Sequence, residues 1–163
     1  MLWITRRDFE RIRRQAEMAY PRECCGILKA GKNSGISRPY PCRNLQQERH
    51  EKDPDRFPRS AEKAYLIDPR ALFRLLASAE EKGERITGFY HSHIDCGAFF
   101  SDEDRQRAMT FGPEPDYPEA VYLVLSVRGE SGGHSKREVV AYKCFSWDEG
   151  CRNFTETALR LVD

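Results

Sequence analysis

Two histidines one residue apart, followed by a serine and several carboxylates, are the residues of this sequence whose spacing could bind a metal ion. They lie in the segment GFYHSHIDCGAFFSDED, residues 88–104. Side chains two residues apart on a strand project to the same face, so a strand that ends in HSH directs His91 and His93 into one volume. Catalytic zinc sites typically use three protein ligands and keep water in the fourth position. The pattern therefore predicts a two-histidine zinc site that needs a third ligand.

Asp104 is the leading candidate for the third ligand, and the residues around it have two interpretations. A helix that begins near Ser101 folds its first turn back toward the end of the strand and can present the Asp104 carboxylate there. The same SDED segment is also a capping-box-like helix start, in which Ser101 satisfies backbone N–H groups and the acidic residues favour the positive end of the helix dipole. Cys96, three residues beyond His93, is an alternative soft ligand for zinc.

Three helices and several strands are predicted to position these residues. The predicted helices run from Thr5 to Pro21, from Asp68 to Gly83, and from Ser101 to near Gly112. In the second helix an apolar stripe is expected to be buried: Leu72, Leu75, Leu76 and Ala79. Helices interspersed with strands, several of them next to hairpin turns, predict a mixed α/β domain with a central sheet covered by helices.

The predicted strands are CCGILKAG, GISRPYPCRN, KAYLID, RITGFYHSH, AVYLVLSV, VVAYKCFSW and FTETALRLV. The first two form a hairpin, and the prolines of the second place it near a sheet edge. Alternation at Leu159 and Leu161 favours a last strand, with a terminal helix as the competing prediction. Residues 44–60 are predicted to be a long loop, and His50 and His134 to be solvated in charged loops.

Length and composition narrow the class of protein. The 163 residues, of which 39% are hydrophobic, predict a single domain over residues 1–163. A net charge of +1 gives no broad electrostatic attraction to nucleic acid or to a membrane. No apolar run approaches the roughly 20 residues that span a bilayer, and the N-terminus is charged too early for a secretory signal, so a cytoplasmic protein is expected. Six cysteines without C-x-x-C spacing predict free thiols that are mostly buried, with one of the adjacent Cys24 and Cys25 in the core.

The segment HSHIDCGAFFSDED resembles the signature of the JAMM, or MPN-plus, metalloprotease family, which is His-x-His-Pro followed after six residues by Ser-x-x-Asp. The residues that match it are His91, His93, Ser101 and Asp104. The family also has a glutamate at the junction of its first helix and first strand, and PRECCGIL places Glu23 there. Ile94 stands where the family usually has proline, which leaves the shape of the DCGAFF loop open.

The resemblance implies a fold and a set of roles. The fold would be a single MPN-type α/β domain with a mixed, mostly antiparallel sheet flanked by helices, similar to that of cytidine deaminases. By resemblance, His91, His93 and Asp104 hold zinc, which lowers the pKa of its bound water toward about 7. Glu23 would be the general base and acid, and Ser101 would stabilise the oxyanion. The competing interpretations are an ordinary exposed charge for Glu23 and helix capping alone for Ser101.

The short chain resembles the compact bacterial and archaeal members of the family, which process ubiquitin-like sulfur-carrier proteins. The implied reaction is hydrolysis of the amide or isopeptide bond after the carrier's C-terminal glycine, releasing an amino acid such as cysteine. The expected partner is thus a ubiquitin-like sulfur carrier with a glycine-rich tail. The alternative is a non-catalytic MPN-type scaffold that binds other proteins. A zinc nucleoside deaminase is disfavoured because the sequence contains neither H-x-E nor P-C-x-x-C.

Overall fold

The computed structural model describes residues 1–129 and 136–163, which form one eight-stranded sheet and four helices. The strands are β1 (Leu2–Thr5), β2 (Cys25–Gly31), β3 (Ile36–Cys42), β4 (Glu84–Ile94), β5 (Val121–Gly129), β6 (Arg137–Asp148), β7 (Asn153–Thr157) and β8 (Leu159–Val162). The helices are α1 (Arg6–Ala19), α2 (Gln46–Lys52), α3 (Pro69–Glu81) and α4 (Asp102–Ala108). The mixed α/β architecture predicted from the sequence is confirmed.

The strand order across the sheet is β7-β6-β5-β4-β2-β3-β1-β8. Three neighbouring pairs are parallel, β4 with β5, β1 with β3 and β1 with β8, and the other four are antiparallel. One residue, Ala158, connects β7 to β8 although they occupy opposite ends of this order. Seven strand spacings of a flat sheet would separate them by about 34 Å. The sheet therefore curls until its two ends approach each other.

Helix starts follow the capping signals in the sequence. The Thr5 hydroxyl accepts a hydrogen bond from the Asp8 backbone N–H at 3.1 Å and begins α1. Asp68 accepts from the Arg70 N–H at 2.9 Å and begins α3, with Pro69 in its first turn. Both helix starts were predicted, so these parts of the fold are locally encoded.

The sheet has a hydrophobic core on each face. Alternating side chains of β4 point to the two faces and so contribute residues to both cores. Tyr90 packs in the cluster on the α1 side, with Phe9 and Ile12 of that helix. Phe89 packs in the other cluster, with Tyr122 of β5 and Ala108 of α4. The same alternation places His91 and His93 on the Phe89 face of β4.

Several predicted elements differ in the structure. Strand β3 lies between β2 and β1 rather than at an edge. Strand β1 pairs only with the first two residues of β3, Ile36 and Ser37, so within the described residues no strand pairs with the proline-containing half on that side. The predicted loop over residues 44–60 contains α2. KAYLID is not a strand, because only Ile67 pairs, in an isolated bridge with Asn44. FTETALRLV forms β7 and β8, which excludes the terminal helix.

The predicted burial also needs correction in places. Of the α3 stripe, Ala79 alone is buried, and the three leucines are half-buried. Helix α4 ends at Ala108, before the predicted Gly112. Cys24 and Cys25 are both buried because both faces of the sheet are covered. All six cysteines are free thiols, three of them buried.

His134 and the middle of its predicted turn lie outside the described residues. Strand β1, which the sequence analysis missed, pairs with β3 and with β8. Within residues 1–129 and 136–163, no helix combines the length and the apolar character needed to cross a bilayer.

Candidate metal centre

His91, His93 and Asp104 converge in a buried cluster between the end of β4 and the first turn of α4. Nε2 of His91 lies 3.1 Å from Oδ1 of Asp104, and Nε2 of His93 lies 3.3 Å from Oδ2. The two Nε2 atoms are 3.2 Å apart. All three residues are at most 5% exposed. The potential ligand atoms lie within 4.8 Å of one another, close enough to share one cation.

Asp104 shows that the two sequence interpretations of SDED are compatible. The N–H of Asp104 donates to Ser101 Oγ at 3.1 Å, and the N–H of Ser101 donates to Asp104 Oδ2 at 2.8 Å, which completes a capping box. The Ser101 hydroxyl also donates to Oδ2, at 2.6 Å. These contacts fix the carboxylate so that Oδ1 faces His91, and the helix cap orients the candidate ligand.

A hydrogen bond behind its ring orients His93. Nδ1 of His93 lies 3.0 Å from the carbonyl oxygen of Gly97. A carbonyl only accepts hydrogen bonds, so Nδ1 must carry the proton. In the neutral ring Nε2 then has a free lone pair directed at the cluster, which is the tautomer that metal binding requires.

Packing holds the other imidazole. The His91 ring stacks on the Tyr65 ring, with centroids 4.4 Å apart and an interplanar angle of 23°. Nδ1 of His91 is buried and has no hydrogen-bond partner among the described residues. Two imidazole nitrogens and a carboxylate oxygen are donors that zinc prefers. The chemistry and convergence of these groups therefore fit a zinc ion.

The electrostatics of the cluster favour an ionised Asp104. Burial by itself would raise its pKa, but attraction to His91 and hydrogen bonds from His91, His93 and Ser101 hold the pKa of Asp104 well below its usual range. Burial opposes protonation of His93, yet hydrogen bonding and attraction to Asp104 raise its pKa. Each partner thus stabilises the charged form of the other.

Glu23 lies between α1 and β2 and is buried, with 6% of its surface exposed. The pKa of Glu23 is raised to about 8, chiefly by burial; attraction to His93 acts to lower it and repulsion by Asp104 acts to raise it. The carboxylate therefore lies within electrostatic range of the cluster. The competing interpretation of Glu23 as an exposed charge is wrong, because the residue is buried. The loop after α2 packs against its backbone, where the Glu23 N–H donates to the Ala61 carbonyl at 2.7 Å.

Asn44 ties the Glu23 segment to the loop that carries Tyr65, a role that the sequence analysis missed. Its Nδ2 donates to the carbonyls of Glu23, at 2.9 Å, and Ala64, at 3.3 Å. Its Oδ1 accepts from the backbone N–H groups of Gln46 and Leu66. An asparagine two residues after the end of β3 is the sequence signal for this role.

The remaining candidates lie outside the cluster. Cys96 is not among its potential ligands in the described part of the chain, and its carbonyl accepts a hydrogen bond from the Ser126 hydroxyl. Ser92 is buried on the opposite face, as its parity predicts, and accepts from the Cys24 N–H at 2.8 Å. His50 is half-buried rather than solvated, because its Nδ1 bonds the Phe57 carbonyl at 2.7 Å.

A cavity of about 1050 Å³ lies beside the cluster, along α4. Tyr65 lines it and also stacks on His91, so this residue separates the cavity from the metal cluster. Five of the other lining residues are also aromatic: Phe57, Phe89, Phe111, Tyr117 and Tyr122.

Comparison with known proteins identifies the family. Residues 5–144 match the model of a family described as prokaryotic homologs of the JAB domain. This match covers most of the chain, which therefore belongs to the prokaryotic JAB family. The resemblance to the JAMM, or MPN-plus, family predicted from the motif is confirmed at that level. No curated protein sequence matches the chain.

Solved structures show the same fold. A protein from Desulfitobacterium hafniense is 23% identical with a TM-score of 0.65, over 100% of this chain and 94% of that one. A protein from Salinibacter ruber is 25% identical with a TM-score of 0.57, over 100% and 92% of the two chains. A JAB1/MPN domain protein from Archaeoglobus fulgidus is 16% identical with a TM-score of 0.52, over 99% and 97%.

Proposed function

We propose that this protein is a zinc-dependent metallopeptidase of the JAMM type. The observation that supports this most strongly is the convergence of His91, His93 and Asp104 with a buried glutamate in electrostatic range. Zinc held by these three residues would supply a water molecule with a pKa lowered to about 7. Family membership supports the same assignment.

Glu23 is the proposed general base and acid. Burial raises the pKa of its carboxyl group to about 8 in the zinc-free protein, and a cation bound nearby would favour the ionised form that can accept a proton. It would accept a proton from the attacking water and deliver that proton to the amine that leaves when the C–N bond breaks. The scissile carbonyl group gains the oxygen of the water and becomes a carboxylic acid. Water is thus added across the C–N bond, as in any amide hydrolysis.

Ser101 is the proposed donor to the oxygen of the scissile carbonyl. Its hydroxyl hydrogen bonds to Oδ2 of Asp104 at 2.6 Å, so donation to a substrate requires rotation of that hydroxyl. Such a rotation moves only the hydroxyl hydrogen, so Ser101 Oγ can still accept from the Asp104 N–H, and Asp104 Oδ2 can still accept from the Ser101 N–H.

The proposed substrate is a ubiquitin-like sulfur-carrier protein with an amino acid, such as cysteine, attached after its C-terminal glycine. The buried position of the cluster favours a slender tail, because a glycine segment brings a carbonyl to a recessed site without bulky side chains. Only residues 109–120 separate α4 from β5, which leaves little room for a large insertion next to the site. Both features support a compact peptidase.

The test is to incubate the zinc-loaded protein with ubiquitin-like carriers that bear C-terminal adducts and to follow the product mass. We expect loss of the adduct with the natural chain and with Glu62→Gln, which changes an exposed glutamate of the neighbouring loop. Glu23→Gln should lower the rate about 100-fold or more. Full activity of Glu23→Gln would remove Glu23 from the mechanism.

Zinc content separates the peptidase from a non-catalytic scaffold. A peptidase requires one tightly bound zinc ion per chain, whereas a scaffold requires none. A protein that folds and binds carriers without retaining zinc would contradict the proposed activity.

A further inference from the structure

Asp95, which directly follows β4, fixes the chain where it leaves the metal cluster. Its φ of 56° lies in the left-handed region, which aspartate and asparagine adopt more readily than most non-glycine residues. Its N–H donates to the Val127 carbonyl at 2.8 Å, and its carbonyl accepts from Arg128 Nη1 at 2.7 Å. Both main-chain polar groups of Asp95 are thus bound to the end of β5.

The Asp95 carboxylate makes two further contacts. Oδ1 accepts from the Gly129 N–H at 3.0 Å, and Oδ2 accepts from the Tyr20 hydroxyl at 2.9 Å. Tyr20 lies at the C-terminal end of α1, and its ring packs on Gly129 so closely that a Cβ there would lie 2.3 Å from Tyr20 Cζ. Asp95 therefore joins the end of α1, the end of β5 and the segment after β4.

That segment carries the carbonyl that orients His93. Cys96 O accepts from the Ser126 hydroxyl, and Gly97 O accepts from His93 Nδ1 at 3.0 Å. Gly97 itself is exposed, so surrounding packing does not hold it. The position of its carbonyl depends on how firmly Asp95 and Cys96 are held.

We propose that Asp95 is a positioning residue for the metal centre. By fixing residues 95–97, it holds the Gly97 carbonyl against His93 Nδ1 and keeps Nε2 of that ring directed at the metal. The consequence for catalysis rests on the proposed function, but the orientation of His93 is a property of the protein alone. Loss of a partner behind a metal-binding histidine typically weakens metal binding 10- to 100-fold.

Three substitutions separate the side-chain contacts from the backbone conformation. Asp95→Gly allows the positive φ and removes both acceptors. Asp95→Asn keeps both contacts, because the amide oxygen accepts from Gly129 and the amide NH₂ can donate to the Tyr20 oxygen. Tyr20→Phe removes one hydrogen bond and keeps the ring on Gly129.

Asp148→Gly is the matched control. Asp148 is also an exposed aspartate, and its Oδ1 accepts from the backbone N–H groups of Gly150 and Cys151 in the β6–β7 turn. The control therefore removes two comparable hydrogen bonds, but both lie within the β6–β7 turn and neither involves residues 95–97.

The experiment measures zinc affinity by chelator competition and the His93 tautomer by ¹⁵N NMR of the zinc-free protein. We expect Asp95→Gly to bind zinc about tenfold more weakly and to lose the pure Nδ1–H tautomer. Asp95→Asn and Asp148→Gly should behave like the natural chain. Unchanged zinc affinity and an unchanged tautomer in Asp95→Gly would overturn the proposal.

Two further outcomes keep the test decisive. If Asp95→Gly does not fold, Tyr20→Phe should weaken zinc binding about threefold, and no change there would overturn the proposal. If the natural chain has the Nδ1–H tautomer but cleaves no carrier, the proposed function fails while the role of Asp95 is supported by the loss of that tautomer in Asp95→Gly.

Discussion

Oδ1 of Asp104 lies 3.1 Å from Nε2 of His91, while Oδ2 of the same carboxylate accepts the hydrogen bonds that begin α4. One side chain thus links the helix cap to the candidate metal centre. A change that weakens the cap should therefore also affect metal binding, and this coupling can be measured.

Ser101→Ala should lower both stability and zinc affinity. The substitution removes the hydroxyl that caps α4 and contacts Asp104, so we expect a loss of ~1 kcal/mol in the free energy of unfolding. Thr5→Ala is the matched control, because Thr5 caps α1 in the same way without contacting the cluster. Urea unfolding should show similar losses for both variants, whereas chelator competition should show weaker zinc binding only for Ser101→Ala. Equal zinc affinities would show that the cap does not orient the ligand.

The zinc-free protein should become less stable as the pH rises from 5 to 8. The pKa of Glu23 is raised from its ordinary 4.5 to about 8 in the folded state, so folding favours the protonated form. Its contribution is complete below pH 4.5 and is lost as the pH rises through 8. The raised pKa of His93 acts in the same direction, whereas the lowered pKa of Asp104 acts only in more acidic solution.

We expect this loss of unfolding free energy to be on the order of 3 kcal/mol. Urea unfolding at several pH values would measure it. Glu23→Gln should flatten the dependence and Glu62→Gln should leave it unchanged. A Glu23→Gln variant with the original slope would show that Glu23 does not titrate in this range.

Gly26→Ala should destabilise the fold. The Tyr90 ring crosses this glycine from the adjacent strand, and a Cβ at Gly26 would lie 2.2 Å from Tyr90 Cζ. Tyr90 cannot easily move, since it is fully buried and its hydroxyl donates to Gln15 at 2.6 Å. We expect a loss of about 2 kcal/mol. Thermal unfolding of both variants would measure this: Gly35→Ala, where no atom lies within 4 Å of the added carbon, should change stability by less than about 0.5 kcal/mol.

The parts of the site that the sequence predicts are those set by local rules. Period-two alternation along β4 places His91 and His93 together, and the Ser101 capping signal places α4 directly after them. Neither rule requires knowledge of the rest of the chain. The convergence with Asp104 follows from the short connection between these two elements.

The features that the sequence did not predict depend on contacts between distant segments. Strand β1 has only four residues and exists through its pairing with β3 and β8. The sequence predicts one strand over FTETALRLV, whereas the structure has two, because β7 pairs with β6 and β8 pairs with β1. Every residue of helix α2 is polar, and Gln46 is the one that is buried in the described structure. The sequence therefore has no apolar stripe that would predict this helix. Glu23 is buried, and its backbone is tied through Asn44 and Ala61 to segments that lie 20 or more residues away in the sequence. These are tertiary effects that periodicity does not reveal.

The most direct test of the account is the zinc content of the purified protein after dialysis against a large excess of zinc-free buffer. The natural chain and His50→Ala, a histidine outside the cluster, should each retain one zinc ion per chain. His91→Ala, His93→Ala and Asp104→Ala should retain far less, while circular dichroism shows that they remain folded. Full zinc retention by His91→Ala, His93→Ala and Asp104→Ala would contradict the proposed metal centre. Absence of zinc from all five proteins, the natural chain included, would contradict it as well.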